Sequence, residues 1–191
     1  MNSIAVFCGS SAGKNPLYTQ LAIDLGRTFA RRGITLVYGA GNIGLMGAMA
    51  DAVLENGGTV FGSIPHFIKE KEVCHMGLTE LVTVNSMHER KQMMAEKADG
   101  FITLPGGFGT LDELFEILTW KQLQLHRKPI GLLNWNGYYD HLIDHVDRMI
   151  QEGFIKPHHR QLLLIENDLD ALLGAMERAP GHFDTKWIER T

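Results

Sequence analysis

The chain predicts an α/β fold: a single domain built on a Rossmann-like parallel sheet with helices on both faces. Three observations carry this reading. Short apolar runs alternate with amphipathic helical patterns along nearly the whole chain, as in successive βαβ units. The runs are apolar on both faces, as strands between two helix layers must be. Three of them end in glycine-rich loops, at Gly9 to Gly13, Gly39 to Gly44 and Pro105 to Thr110, and ligands of such sheets sit beyond the carboxyl ends of the strands.

Composition narrows the function classes. At 191 residues, 45% hydrophobic and 21% charged, the chain is ordinary for a globular protein, and a domain of this size buries roughly 70% of the surface of its unfolded chain. The net charge of -4 gives no basic footprint for nucleic acid. Cys8 and Cys74 are too few for a disulfide framework, which fits a reducing compartment. The N-terminus enters a strand without a basic leader and no apolar run approaches about 18 residues, so a cytoplasmic protein with no membrane partner is expected.

Ile4 to Cys8 reads as the first strand, spilling into Gly9-Ser10-Ser11-Ala12-Gly13, a small loop whose backbone can bind anions. Asn15 and Pro16 are an N-cap and first-position proline, opening a helix whose Leu21, Leu25, Phe29 and Ala30 point inward until Gly33. Ile34 to Tyr38 is the second strand. Gly39-Ala40-Gly41-Asn42-Ile43-Gly44 then matches G-x-G-x-x-G, but no carboxylate follows about 20 residues on to hold a ribose hydroxyl. A dinucleotide reading is therefore discounted. Backbone contact from Gly41 and Gly44 to a nucleotide, and tight helix-to-strand packing, both stay open.

Leu45 to Glu55 is a helix and Thr59 to Ile64 a third strand, ended by Pro65. From Pro65 to Gly77 no period holds across His66, Lys69, Lys71 and His75, and an irregular excursion over the site is expected. Leu78 to Val84, with Glu80 inside it, is the fourth strand. Ser86 and Glu89 are spaced as a capping box for a helix to about Ala98. Arg90 and Lys91 fall one turn inside it. Adjacent cations usually mark a solvated face, but Arg offers a planar fork suited to phosphate.

Phe101 to Leu104 is a buried strand closed by Pro105, and after it comes the densest signal in the chain, Pro105-Gly106-Gly107-Phe108-Gly109-Thr110-Leu111-Asp112-Glu113. The glycines leave no side chain between backbone amides and a docked ligand. Thr110 is placed to cap the following helix, and Leu111, Leu114, Phe115 and Leu118 form its i, i+3, i+4, i+7 stripe. Orphan amides at the positive end of a helix dipole make an anion site, most often for phosphate. Asp112 and Glu113 are either ordinary dipole partners or acids that stabilise positive charge on a sugar anchored by its phosphate. On a helical wheel Glu113 lies opposite the stripe, with Asp112 and Glu116 to one side near Thr119. Spacing alone does not rank the three acids.

Pro129 to Leu133 is a further strand and Asn134-Trp135-Asn136-Gly137 a loop. Tyr138 to Gln151 reads as a helix. Its Asp140, His141, Asp144 and His145 have metal-ligand spacing, but Leu142, Val146, Met149 and Ile150 make it a plain amphipathic surface helix, and no metal is expected. Leu162 to Ile165 and Leu169 to Met176 are a last strand and helix. Glu177 to Thr191 shows no period and is expected to be loosely held.

The segment PGGFGTLDE, together with Met87-His88-Glu89-Arg90-Lys91, resembles the paired signature of the LONELY GUY family, often mislabelled as lysine decarboxylases. The similarity runs from about Ile4 to Asn134. It implies a phosphoribohydrolase that cuts the N-glycosidic bond of cytokinin riboside 5'-monophosphates, and often of AMP, without a cofactor and as a homodimer with its site near the interface. It also ranks the acids: Glu113 and Arg90 stand at the catalytic pair. Glu80, Lys91 and Thr119 match substrate contacts, Met87 the base pocket, and Gly107 to Thr110 the phosphate cradle, which the glycine reading extends to Gly106, Leu111 and Asp112, and to Gly9 and Ser10 of the first loop. Asp112 stands where many relatives carry Glu. Two alternatives remain: a nucleotide-binding or carrier module without catalysis, and a lysine decarboxylase, which would need a Schiff-base lysine for pyridoxal phosphate that no lysine here is well set to provide.

Overall fold

A computed structural model describes residues 1–69 and 74–179. Seven strands form one sheet in the order β4-β3-β2-β1-β5-β6-β7: β1 Ser3–Phe7, β2 Thr35–Tyr38, β3 Val60–Pro65, β4 Glu80–Val84, β5 Gly100–Thr103, β6 Ile130–Leu133 and β7 Leu164–Glu166. Every neighbouring pair is parallel. From β1 the chain steps outward to β4, then returns to the other side of β1 as β5. The crevice of such a sheet opens where the order reverses, here between β1 and β5.

The helices are α1 Leu17–Arg32, α2 Gly44–Glu55, α3 His66–Lys69, α4 Met87–Lys97, α5 Phe108–Gln122, α6 Asp140–Gln151 and α7 Leu169–Arg178. Doubly apolar strands produce two cores. On one face Ile4, Val6 and Leu36 pack with Leu25 and Phe29 of α1, Met49 and Val53 of α2, and Leu172 and Met176 of α7. On the other, Phe7, Val37 and Phe101 pack with Met94 of α4 and Leu114 and Ile117 of α5.

Several local expectations change. Asn15 Oδ1 accepts from the Leu17 amide at 3.0 Å, while Pro16 already has helical dihedrals. Ser86 Oγ accepts from the Glu89 amide, but the Glu89 carboxylate reaches back one residue further, to the Asn85 amide at 2.8 Å. The irregular excursion contains the short α3 and returns at Cys74, which bridges Gly41; Lys71 lies outside the described residues. α6 starts at Asp140 and not at Tyr138, because Asn134 Oδ1 takes the Tyr139 amide at 2.8 Å and a 3-10 turn fills Trp135–Gly137. Glu177 does not begin a loose tail: it lies in α7 and pairs with Arg32 at 3.6 Å, while 180–191 fall outside the described residues.

Asp99, between α4 and β5, ties the entry of β5 to the start of β1. Its Oδ2 accepts from the Asn2 and Ser3 amides at 2.7 and 3.1 Å, and these bonds, the Asn2 one foremost, hold its carboxyl below the ordinary 3.8. A carboxyl depressed on folding stabilises above its unfolded value and loses that effect as pH falls through its folded value. Asp99→Ala is expected to cost about 1 kcal/mol at pH 7, and urea melts should show the difference closing below pH 3.8.

Candidate active site

Three loops meet beyond β2, β1 and β5, which are adjacent in the sheet. The Gly9 amide donates to Pro105 O and the Leu45 amide to Gly9 O, both at 3.1 Å. The loop after β1 is thus stitched to the glycine turn on one side and to the start of α2 on the other. A Cβ on Gly44 would fall on the Ser10 backbone, and one on Gly106 on the Thr110 hydroxyl. Between these loops lies a cavity of about 270 Å³ walled by Gly9 to Gly13, Leu45, Gly106, Gly107 and the rings of Tyr18 and Tyr138.

Two helices present uncapped amino ends here. Gly107 caps α5 and Ile43 caps α2, neither through a side chain. Thr110 is therefore not the cap. The glycine turn is tight enough that the helix begins at Phe108, which places Thr110 inside the first turn, buried, with its hydroxyl packed under Gly106. First-turn amides have no carbonyl one turn back, so the turn remains a donor surface for an anion.

The second half of the site is an ion pair. Arg90 Nη1 stands 3.1 Å from Glu113 Oε1, with only 11% and 12% of the two side chains exposed. Arg90 Nε donates to Ser63 O at 3.2 Å, and the guanidinium occupies the place where Gly39 would carry a Cβ. The loop that matches a dinucleotide fingerprint thus uses its first glycine to admit Arg90. Burial pushes the Glu113 carboxyl above its ordinary value, against the opposing pull of Arg90 and Lys91. Burial and the Glu113 charge likewise raise the Cys8 thiol, which makes it a poor nucleophile.

Glu113 reaches Arg90 because α5 is rotated from the expected wheel. Its buried face is Thr110, Leu114, Ile117 and Lys121, while Leu111, Phe115 and Leu118 are only half-buried. Glu113 consequently borders the buried face and does not stand opposite it. Lys91 lies beside the pair, 2.8 Å from Asp112 Oδ2 and 3.1 Å from Glu116 Oε2. Burial pushes its ammonium down, but the two acids outweigh that and leave it above its ordinary value.

The other predicted residues divide. Gly9, Ser10, Gly106 and Gly107 line the cavity. Gly109 is open, and Phe108 is 95% exposed at the tip of the turn. Gly41 lies under Met46, and Met87 opens α4, half-buried. Thr119 is exposed and donates to Phe115 O at 2.7 Å. Glu80 stands apart: it begins β4, at the amino end of the sheet, and pairs with Lys97 at 3.3 Å. The sequence reading missed Gly39, Ser63, Tyr18 and Tyr138. Two tyrosines directly after Asn136-Gly137 were the available signal for the last.

Comparison with known proteins bears on this arrangement. The family model described as "Possible lysine decarboxylase" matches residues 46–176. A cytokinin riboside 5'-monophosphate phosphoribohydrolase of Rhodococcoides fascians is 48% identical over 179 residues, covering 93% of this chain and 90% of that protein. One from Arabidopsis thaliana is 46% identical over 181 residues, covering 95% and 83%. The chain belongs to the LONELY GUY family. In fold it also resembles the molybdenum cofactor binding protein of Rippkaea orientalis, with TM-score 0.69, 19% identity, and 92% and 94% of the two chains covered. A similar match is the molybdenum cofactor carrier protein of Chlamydomonas reinhardtii, with TM-score 0.69, 19% identity and 92% and 96% covered.

Within this LONELY GUY chain, Gly39→Ala tests the seat of Arg90. The new methyl meets the mobile end of a side chain, so the guanidinium gives way before the backbone does. The expected result is a protein that folds with about 1–3 kcal/mol less stability. Its Arg90 no longer touches Glu113, and the Glu113 carboxyl, relieved of its main cationic partner, titrates higher. A crystal structure and a carbon-detected NMR titration check both points.

Proposed function

We propose that this protein hydrolyses the N-glycosidic bond of purine riboside 5'-monophosphates, of the cytokinin type or AMP, to free base and ribose 5-phosphate. The observation that carries the reading is the buried Arg90–Glu113 pair, one turn along the helix whose uncapped amino end receives the phosphate. The relatives named for this activity, at 46 to 48% identity, support it.

The 5'-phosphate docks on the amides of Gly107 to Thr110, which fixes the ribose. As the bond from the anomeric carbon to the base nitrogen breaks, its electrons leave with the base and positive charge grows on the sugar. The Glu113 carboxylate stabilises that charge and orients the water that attacks the anomeric carbon; it accepts the water's proton and releases it to solvent, while the departing base nitrogen takes up a proton from water. Arg90 keeps this buried carboxylate ionised and aimed. Met87 lines the base pocket; Lys91 and Thr119 are proposed as further substrate contacts, Lys91 by exchanging one of its acids for the substrate, whereas Glu80, at the opposite edge of the sheet, is not retained as one. We place the enzyme in the cytoplasm as a homodimer. Support for the dimer comes from α6, none of whose residues is fully buried, and from Phe154, 84% exposed beyond it.

Incubation with AMP and with isopentenyladenosine monophosphate should release base and ribose 5-phosphate. Glu113→Gln should lower kcat by about 10²–10³ with little change in KM. Tight binding without release would support a carrier, and lysine consumption with pyridoxal phosphate a decarboxylase.

The acid limb of kcat/KM reports the carboxylate that must be ionised. With Glu113 raised by burial, activity should be lost as pH falls through a value above the ordinary 4.5. A limb at or below that value in a pH-rate profile would exclude Glu113 as the ionised acid.

A further inference from the structure

We infer that Tyr138 is a positioning residue for the anion cradle, holding the Gly106-Gly107 peptide so that its amide, not its carbonyl, faces the phosphate. This deepens the proposed hydrolase reading and rests on it. The glycine turn has an intrinsic weakness. A peptide between two glycines rotates at little steric cost, and a half-turn would replace a donor with an acceptor that repels an anion. Something outside the turn must hold it.

The structure supplies that hold. The Tyr138 hydroxyl donates to Gly106 O at 2.8 Å, and the Tyr139 hydroxyl to Leu104 O at 2.7 Å. Between them Pro105 O accepts from the Gly9 amide at 3.1 Å. Three successive carbonyls at the start of the turn are therefore taken. In a trans peptide the N–H of one residue points opposite to the carbonyl of the residue before, so fixing Gly106 O fixes the Gly107 amide. No atom outside its chain neighbours lies within 4 Å of a Cβ built on Gly107, so on that side packing does not confine the plane.

Tyr138 is itself held. Its ring meets Tyr18 edge-on at 5.7 Å and Tyr139 at 4.8 Å. Its loop is closed by Asn134, which accepts from the Tyr139 amide and donates to Asp140 Oδ1 at 2.7 Å. Tyr138 also walls the cavity while remaining 43% exposed, so its hydroxyl matters more to the cradle than to the core.

Tyr138→Phe keeps the ring and removes only the hydroxyl. The expected result is a KM for AMP raised about five- to tenfold, the effect of losing one hydrogen bond, with kcat nearly unchanged. Affinity for ribose 5-phosphate by calorimetry should weaken by the same factor. Turnover of the unphosphorylated riboside should not move, and the thermal midpoint should fall by no more than about 4 °C. Unchanged ribose 5-phosphate affinity overturns the inference, as does an equal loss on phosphorylated and unphosphorylated substrates, which marks a merely structural role. If the wild type binds ribose 5-phosphate but releases no base, weakened binding in Tyr138→Phe upholds this inference while the proposed hydrolase fails.

Discussion

Most of the architecture around the switch point answers to one contact, the 3.1 Å pair between Arg90 and Glu113. Taking a guanidinium and a carboxylate out of water costs more than a bare ion pair returns unless further hydrogen bonds complete it. Here the completion comes from backbone: Ser63 O at the end of β3 accepts from Arg90 Nε, and Gly39 at the end of β2 leaves the space. Even so, burial leaves Glu113 with a raised pKa. The carboxylate is held in a state that costs free energy, as suits a group meant to meet positive charge that develops only during reaction.

The pair and the cradle lie on opposite sides of one strand end. Arg90 and Glu113 come from α4 and α5, which cover the face containing Phe7 and Phe101. Leu45 and Tyr18, in the cavity wall, belong to α2 and α1 on the other face. The loop after β1 lies between, bonded to Pro105 and to Leu45. Side-chain bulk is excluded at Gly44 by the Ser10 backbone and at Gly106 by Thr110 and the Gly9 amide, so either would disturb how the loop after β1 seats between its neighbours.

The parallel α/β class and the convergence of the three loops were legible because doubly apolar runs and glycine clusters are local signals. The rotation of α5 was not. Leu111, Phe115 and Leu118 are as apolar as Leu114 and Ile117, so hydrophobicity alone offers two stripes, and the true buried face includes a lysine. Lys121 is 5% exposed and donates to Leu162 O at 3.2 Å, and burial pushes its ammonium down to about 8. No residue scale assigns a lysine to a core. The Tyr138 contact was hidden for a different reason: it joins residues 32 apart in sequence, through a loop whose closure depends on the Asn134 side chain.

The fold is shared at 19% identity with proteins described as molybdenum cofactor binding and carrier proteins, so the sheet alone does not decide between holding a ligand and cutting one. Two features of this chain have different physical demands. A cradle needs donors and open backbone, which uncapped helix ends and glycine provide at little cost to folding. Hydrolysis needs, in addition, a charge placed before it is used, and that requires a desolvated acid with a partner and room made for both. Gly39, Ser63, Arg90 and Glu113 lie on four different elements or their ends, and binding an anion calls for none of them. Their convergence is the feature of this chain that supports the proposed catalytic reading over a binding one within the same architecture.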